Sequence, residues 1–292
     1  MPLLLARALC VCAALMACTV QAQPLPSPCS PSAHGIPPRP AQARGASELV
    51  AALAGLSEDH RERTIRQELL AGNLPGFLRR LLPTTLDARR ADGRPVRLTL
   101  CVLADYLGLG SDDDFLLVPM GLDSALAVAA QFGFTLPTRR IVDLIYQQAS
   151  VRLLPQPLPA GDRMRSTAYL ERHGALVERQ RAASGATPGA LTAGHKKDLV
   201  LSERLWQQPG RVAIYGWQRA DGTPIQTLST VHGARYADYS HGVRLISQTV
   251  FVDGRATSIF DVLADVQLAP LLSDEGPLPR AGAWQAAQTD VR

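Results

Sequence analysis

Titratable and polar aromatic side chains concentrate in one stretch of the chain, from Gly194 to Arg244. Three of the six histidines, three of the six tyrosines and two of the three tryptophans lie between His195 and His241. Glycines interrupt the stretch, and glycine lets a backbone approach a ligand closely. Histidine is the side chain whose charge changes near neutral pH. The stretch is therefore the candidate location of proton-transfer or metal-dependent chemistry.

The candidate site residues fall into two groups according to the chemistry that their side chains offer. Proton transfer needs imidazoles with orienting carboxylates, and the catalytic candidates are His195, Asp198, His232, Asp238 and His241. Substrate binding uses cations and aromatic rings, and its candidates are Lys197, Tyr215, Trp217, Tyr239 and Arg244.

One interpretation of the histidines is a zinc site with ligands His195, His232 and His241. Two or three histidines with a carboxylate suit an open catalytic site in which zinc acidifies a bound water. The chain has no HExxH helix, and Lys196 and Lys197 follow His195 directly. The expected cofactor is therefore either none or a divalent metal such as zinc.

The other interpretation is acid–base or nucleophilic catalysis without a metal. Ser240 and His241, with a carboxylate from Asp198 or Asp238, are the residue types of a catalytic triad. No G-x-S-x-G sequence is present, and a serine beside its histidine in a strand does not usually bond to it. His232 is accordingly the better candidate base.

A short sequence in this stretch resembles the signature of the L,D-transpeptidase family of cell-wall enzymes. His232-Gly233 is followed by Ser240-His241-Gly242-Val243-Arg244-Leu245, where the family has a His-Gly and a downstream Ser-His-Gly-Cys-Arg. Val243 stands where the family has its nucleophilic cysteine. The resemblance implies the family's fold and a peptidoglycan-like ligand, with thiol transpeptidation lost.

Some of the polar residues have a structural interpretation instead. His173 lies on the apolar face of a predicted helix over 165–183 and is expected to be a core histidine. Lys196 and Lys197 are typical of a charged turn, although beside His195 they can also hold an anionic substrate. Trp217 and the tyrosines can equally serve packing.

The order of apolar patterns predicts an α+β fold, with a helical N-terminal half packed on a mostly antiparallel sheet formed by the C-terminal half. Ser47, Ser57 and Thr138 are positioned as helix N-caps, and a short apolar helix is expected over 74–82. A strand is expected over 95–103. Short strands with β-branched residues, one of them over 243–246, are expected after Gly194.

The chain divides into four predicted segments. Residues 1–22 have the positive start (Arg7), apolar run and small-residue cleavage site of a signal peptide. A proline-rich disordered lead follows over 23–44, then a single domain over 45–280 (helix-rich 45–190, strand-rich 191–280), and a flexible tail over 281–292. Leu15-Met16-Ala17-Cys18 resembles a lipobox, but Met16 is unusual there, so secreted or periplasmic protein is favoured over lipoprotein anchoring at Cys18.

Charge and cysteine content limit the partners and the compartment. The formal net charge is +4, which is only mildly basic and does not indicate nucleic acid. No later segment is long and apolar enough to be a transmembrane helix. After the signal peptide, Cys29 and Cys101 remain, either as a disulfide in an oxidising compartment or as two thiols with Cys101 buried.

These features predict an exported, envelope-associated hydrolase that acts on peptidoglycan or a related polymer through a His/Asp cluster. The alternative is a non-catalytic exported protein that binds a polymer or a small ligand in a cleft lined by aromatic and histidine side chains.

Overall fold

The computed structural model of the protein describes Pro28, Cys29 and residues 35–289. The predicted signal peptide and the lipobox lie outside the described residues. The α-helices are α1 (Ala46–Leu53), α2 (Glu58–Leu70), α3 (Leu122–Phe132), α4 (Arg139–Gln148), α5 (Thr167–Ala183), α6 (Arg204–Gln207), α7 (Ile259–Ala264), α8 (Ala269–Leu272) and α9 (Ala281–Thr289).

The strands are short except for the first two. They are β1 (Leu82–Arg89), β2 (Pro95–Val102), β3 (Gly108–Gly110), β4 (Phe115–Leu117), β5 (Phe134–Thr135), β6 (Val151–Arg152), β7 (Thr192–Ala193), β8 (Lys197–Leu199), β9 (Ile214–Gln218), β10 (Pro224–Ser229), β11 (His241–Gly242), β12 (Ile246–Ser247), β13 (Thr249–Val252) and β14 (Arg255–Ser258).

A six-stranded antiparallel sheet with β2 at its centre forms the main core. Its order is β14-β13-β2-β12-β5, and β1 also pairs with β2 as a hairpin. Leu98, Leu100 and Val102 of β2 are fully buried, which is what a strand between two packed faces requires. The predicted α+β class is confirmed, and this sheet also draws β1 and β2 from the first half of the chain.

A second sheet of four strands, in the order β10-β9-β8-β11, carries five of the ten candidate site residues. Its β8 runs antiparallel to β9 and parallel to β11. The predicted strand over 243–246 is wrong in its bounds, because β11 ends at Gly242 and the next residues cross to β12 in the main sheet. The same crossing brings Arg244 between the two sheets.

Two of the three predicted helix caps are confirmed. The Ser57 hydroxyl accepts a hydrogen bond from the His60 backbone at the start of α2, and Thr138 accepts one from Ile141 at the start of α4. The Ser47 cap is wrong, because α1 already begins at Ala46 and the Asp114 carboxylate accepts from the Ser47 backbone N–H.

The short helix predicted over 74–82 is also wrong. The chain makes only a 3-10 turn at Gly76–Arg79 and then enters β1. Pro75 and Pro83 lack the N–H donors that a continuous helix needs, and Thr84 and Thr85 are β-branched residues that favour a strand.

Both predicted flexible ends lie against the domain where the structure describes them. In the lead, Ile36 is buried and the Arg39 guanidinium donates to Asn73 and to the Gly110 carbonyl. Cys29 forms a disulfide with Cys101 of β2. At the other end, α9 replaces the predicted tail, and its Gln285 amide donates to the Phe134 carbonyl. Composition misses such contacts because they join segments far apart in sequence.

Over Pro28, Cys29 and residues 35–289, no helix has the combination of length and apolar character needed to cross a membrane.

Candidate functional site

The register of the small sheet divides the candidate residues between its two faces. His241 lies opposite Lys197 across the parallel β11–β8 pair, and Gly242 lies opposite Asp198. Neighbouring residues in register point to the same face of a sheet, and successive residues point to opposite faces. His241 and Lys197 therefore share one face, and Asp198 projects from the other.

We call the residues around His241 the outer cluster, which consists of Lys197, His232, Tyr236, Asp238 and His241. The His232 and Tyr236 rings stack in parallel, with centroids 3.9 Å apart. The His241 ring centroid lies 6.1 Å from that of His232 and 5.6 Å from that of Tyr236. Three rings thus pack as one group beside the Asp238 carboxylate.

Asp238 is the hydrogen-bonding centre of the outer cluster. Its Oδ1 accepts from the backbone N–H and the hydroxyl of Ser240, and its Oδ2 accepts from the Tyr236 hydroxyl at 3.1 Å. The His241 Nε2 is 3.9 Å from the same Oδ2. The Ser240 hydroxyl is committed to Asp238, and no hydrogen bond within the described residues joins it to a histidine, so the predicted serine triad is not formed.

His241 is a neutral base at pH 7. It is fully buried, and burial, together with Lys197 and His232, lowers its pKa to about 4 against the opposing effect of Asp238. Burial favours the protonated form of Asp238, but His241, the Ser240 bonds and Lys197 hold its pKa below the ordinary value. Neither ring nitrogen of His241 has a hydrogen-bond partner in the described residues, so one of them is free to accept a proton.

We call the residues on the opposite face the inner network: Asp105, Tyr106, Arg181, His195, Asp198 and Arg244. Asp105 pairs with Arg181 at 2.5 Å, and the His195 Nε2 lies 3.2 Å from its other oxygen, without the alignment of a hydrogen bond. Burial raises the pKa of Asp105, yet Arg181 and His195 outweigh it and hold that pKa well below its usual range. Asp105 is therefore an ionised structural anchor.

Asp198 and Arg244 complete the inner network through Tyr106. The Tyr106 hydroxyl donates to Asp198 at 2.8 Å, and the Arg244 guanidinium lies 4.3 Å from the Tyr106 ring centroid. Burial raises the pKa of Asp198 to about 7. Arg244 is buried and donates to the carbonyl oxygens of Leu103 and Thr192. Its guanidinium therefore stabilises the interior of the fold and is not exposed to a substrate.

Gly242 lies where the side chains of Tyr106 and Lys196 approach the backbone of β11. A Cβ at this residue would lie 2.6 Å from a ring carbon of Tyr106 and 2.8 Å from the Lys196 Cβ. Real Cβ atoms do not approach other atoms so closely. A glycine is therefore required here for Tyr106 to reach Asp198.

Lys196 is buried, although its sequence neighbours are typical of a charged turn. It is 1% exposed and directly precedes β8, while the adjacent Lys197 is half-exposed. Its ammonium donates to the Tyr239 carbonyl at 2.6 Å and lies 3.2 Å from the His173 Nδ1. Burial lowers the pKa of Lys196 to about 8 and that of His173 to about 2. The core position predicted for His173 is confirmed.

A kink in β9 shapes the outer face. Gly216 and Trp217 both have positive φ angles, 111° and 58°, and the second is rare for a residue with a side chain. The kink places the Trp217 ring 5.0 Å from the Lys197 ammonium. The buried indole N–H of Trp217 has no partner in the part of the chain that the structure describes.

Five predicted site residues lie apart from the outer cluster. Three of them belong to the inner network, namely His195, Asp198 and Arg244. The Tyr215 hydroxyl donates to Asp143, and the Tyr239 hydroxyl bonds the backbone of Leu158, so both tyrosines pack within the fold. Within the described residues no group of three or more histidine, cysteine, aspartate or glutamate side chains is arranged to hold a metal ion. His195, His232 and His241 therefore do not form the zinc site that the sequence suggested.

An open cleft of about 710 Å³ adjoins the outer cluster. It is lined by α2, by the start of α3, by Arg165 and by the segment 233–237. Tyr236 belongs to both the cleft and the outer cluster, and the Arg165 guanidinium lies 5.5 Å from its ring centroid. Tyr236 is therefore the contact between the cleft and His241.

Sequence reasoning missed Asp105, Tyr106 and Arg181, as well as the arginines of the cleft. Asp105 and Tyr106 follow directly after the apolar β2, and residues at the end of a buried strand are common functional positions. The sequence therefore contains an indication of Asp105 and Tyr106. Nothing in the local sequence around Arg181, late in α5, indicates a functional position. The chain matches no model of a known protein family, no curated protein and no solved structure.

Proposed function

We propose that the protein is an exported hydrolase that cleaves an envelope polymer such as peptidoglycan, with His241 as its general base. The observation that supports this most is a buried, neutral His241 with unpaired ring nitrogens, set between Asp238 and a tyrosine that lines the cleft. A neutral imidazole beside an ionised carboxylate is the arrangement that proton abstraction requires.

Water is the nucleophile in this proposal. The Ser240 hydroxyl is committed to Asp238, and position 243 is a buried valine where the resembling family has a cysteine. His241 takes a proton from the attacking water and returns it to the leaving group. Asp238 stabilises the imidazolium that forms in between. The Tyr236 ring lies between the cleft and His241, so it must move aside for the substrate.

Export is part of the proposal. The predicted signal peptide supports it, and so does the Cys29–Cys101 disulfide, because such bonds persist in oxidising compartments outside the cytosol. Soluble release is favoured over lipid anchoring at Cys18.

The test is release of soluble fragments from purified peptidoglycan sacculi, followed by mass spectrometry. His241→Gln and Asp238→Asn should each lower the rate by about 100-fold or more, since general acid–base catalysis contributes that much. The matched control is His60→Gln, which changes an exposed histidine on α2 and should leave the rate unchanged. Full activity in a folded His241→Gln protein would reject His241 as the base.

The alternative of a non-catalytic binding protein is favoured by one observation: His241 is fully buried, and no nucleophile is hydrogen-bonded to a base in the outer cluster. In that case the wild-type protein would co-sediment with sacculi and release no fragments, and His241→Gln would bind equally well.

A further inference from the structure

The charged side chains that line the cleft differ in whether they have partners. The lining holds five arginines and four carboxylates: Arg61, Arg63, Arg66, Arg165, Arg235, Glu58, Asp59, Glu62 and Asp123. The formal balance is one positive charge. This balance alone does not define a ligand, so the partners of each group matter.

Most of the carboxylates are already engaged. Glu58 accepts from Arg165 at 2.7 Å, and Glu62 accepts from the Gly121 backbone N–H at 2.8 Å. Asp59 lies 3.9 Å from Arg235. Two of the four negative charges are thus paired with arginines of the same cleft, and a third carboxylate is committed to a backbone donor.

The α2 arginines are in the opposite situation. The side chains of Arg61, Arg63 and Arg66 make no hydrogen bond or ion pair of 4 Å or less within the described residues. Arg61 is half-buried, and burial lowers its pKa, with a further lowering by the nearby Arg165 that Glu58 and Glu62 oppose. A half-buried cation without a direct partner is unfavourable, and it gains most from an anion supplied by a ligand.

The position of Arg61 connects it to the proposed catalytic group. Arg61 and Arg165 line the same cleft, and Arg165 bonds Glu58, which lies three positions before Arg61 on α2 and so on the same side of that helix. Arg165 also lies against the Tyr236 ring, which contacts the His241 ring. An anion held between Arg61 and Arg165 would therefore lie beside Tyr236, and only the Tyr236 ring would separate it from His241.

We propose that the cleft binds a carboxylate of the substrate through Arg61 and Arg165, beside Tyr236. A carboxylate is proposed and not a phosphate, because the formal balance of the lining is one positive charge, which a single carboxylate neutralises. Guanidinium groups bind carboxylates through paired hydrogen bonds. This inference rests on the proposed function only for the identity of the polymer that carries the carboxylate.

The test uses a peptide with one charge, N-acetyl-Ala-Glu-Ala-amide, with its glutamine counterpart as the neutral control. Binding is measured by titration of the full mature chain in low salt. The glutamate peptide should bind, and the glutamine peptide should bind at least about tenfold more weakly, as expected for loss of a charge-assisted hydrogen bond. Raising the salt should weaken only the glutamate peptide.

Variants assign the site. Arg61→Met should weaken the glutamate peptide at least about tenfold, Arg61→Lys should lose less, and Arg165→Met should act like Arg61→Met. The matched control is Arg172→Met, an exposed arginine of α5 outside the cleft, which should not change binding. If Arg61→Met does not fold, Arg61→Lys and Arg165→Met still decide the matter.

The outcomes separate this inference from the proposed function. Equal binding of the two peptides, no effect of Arg61→Met and Arg165→Met, or tighter binding of a phosphoserine peptide would each overturn the carboxylate site. Arg61-dependent binding together with intact sacculi would support the site and reject the hydrolase. Cleavage of sacculi with the same KM in wild type and Arg61→Met would support the hydrolase and reject the carboxylate site.

Discussion

Burial keeps two histidines of this protein neutral, and each lies near a lysine. His173 faces the ammonium of Lys196, and His241 lies beside Lys197 in the sheet. A proton on either ring would add a second positive charge in a site with little water. The same physical condition that makes His241 a usable base therefore makes the folded protein sensitive to acid.

His173 should contribute a loss of stability on acidification. Its pKa is about 2 when folded and about 6.5 when unfolded, so the unfolded chain takes up the proton first. Stability from this residue is present above pH 6.5 and falls by about 1.4 kcal/mol per pH unit as the pH drops towards 2. Asp198, whose folded pKa is raised to about 7, acts in the opposite direction between pH 7 and about 4.

The contribution is isolated by comparing wild type with His173→Gln in urea unfolding at pH 6.5, 5.5 and 4.5. The wild-type free energy of unfolding should fall more steeply than that of the variant, by about 1.4 kcal/mol per pH unit. His60→Gln, which removes an exposed histidine, should parallel the wild type. Parallel curves for wild type and His173→Gln would show that His173 titrates normally in the folded state.

The sequence predicts single residues well where one local pattern decides their environment. His173 follows the apolar face of α5 and is in the core as predicted. The sequence predicts one charged turn for Lys196 and Lys197, yet Lys196, just before β8, is buried and Lys197, the first residue of β8, is half-exposed. The joining of His241 to Asp238 and Tyr236 depends on how 232–241 folds back, which no local pattern specifies.

The two confirmed helix N-caps differ in their exposure to water. Ser57 caps α2 at the surface, whereas Thr138 caps α4 in the interior and its hydroxyl also donates to the Leu272 carbonyl. Removing a cap from an exposed helix leaves donors that water can satisfy. Removing it from a buried one leaves the Ile141 N–H and the Leu272 carbonyl without partners.

Thr138→Ala should therefore cost more than Ser57→Ala. We expect about 1 kcal/mol for Ser57→Ala, and about 2–4 kcal/mol for Thr138→Ala, which adds buried unsatisfied groups to the lost cap. Chemical denaturation of the two variants checks the difference. Equal losses would mean that water reaches the start of α4.

Element prediction fails where long-range pairing overrides local preference. The residues of β1 carry Leu82, Leu86 and Ala88 at spacings that a helix also tolerates, and only pairing with β2 selects the strand. Residues 35–44 and α9 have compositions typical of flexible ends, yet each is held by contacts with residues more than 30 positions away. Such contacts follow from topology and not from composition.

At the scale of the whole molecule, the disulfide joins the described start of the chain to the centre of the main sheet. Cys29 and Cys101 are 72 positions apart and both are buried. Closing a loop of this length restricts the unfolded chain and contributes up to about 4 kcal/mol. The predicted pairing is confirmed, although the sequence left two free thiols as an alternative.

The double variant Cys29→Ala/Cys101→Ala should unfold at a lower temperature than the oxidised wild type. For a protein of this size each kcal/mol corresponds to roughly 2–4 °C. Calorimetry of both proteins measures the shift, and thiol titration of the unfolded, unreduced wild type should find no free thiol. Two titratable thiols and equal melting temperatures would contradict the bridge.

The disulfide also makes a covalent ring of residues 29–101, and this ring contains α1, α2 and β1. The α2 helix displays Arg61, Arg63 and Arg66 at the wall of an open cleft, where a trypsin-like protease would find its cleavage sites. A single cut there opens the ring but releases no fragment, because both new ends remain attached through the sulfur atoms. The disulfide would keep the two pieces of the nicked chain together until a reductant separated them.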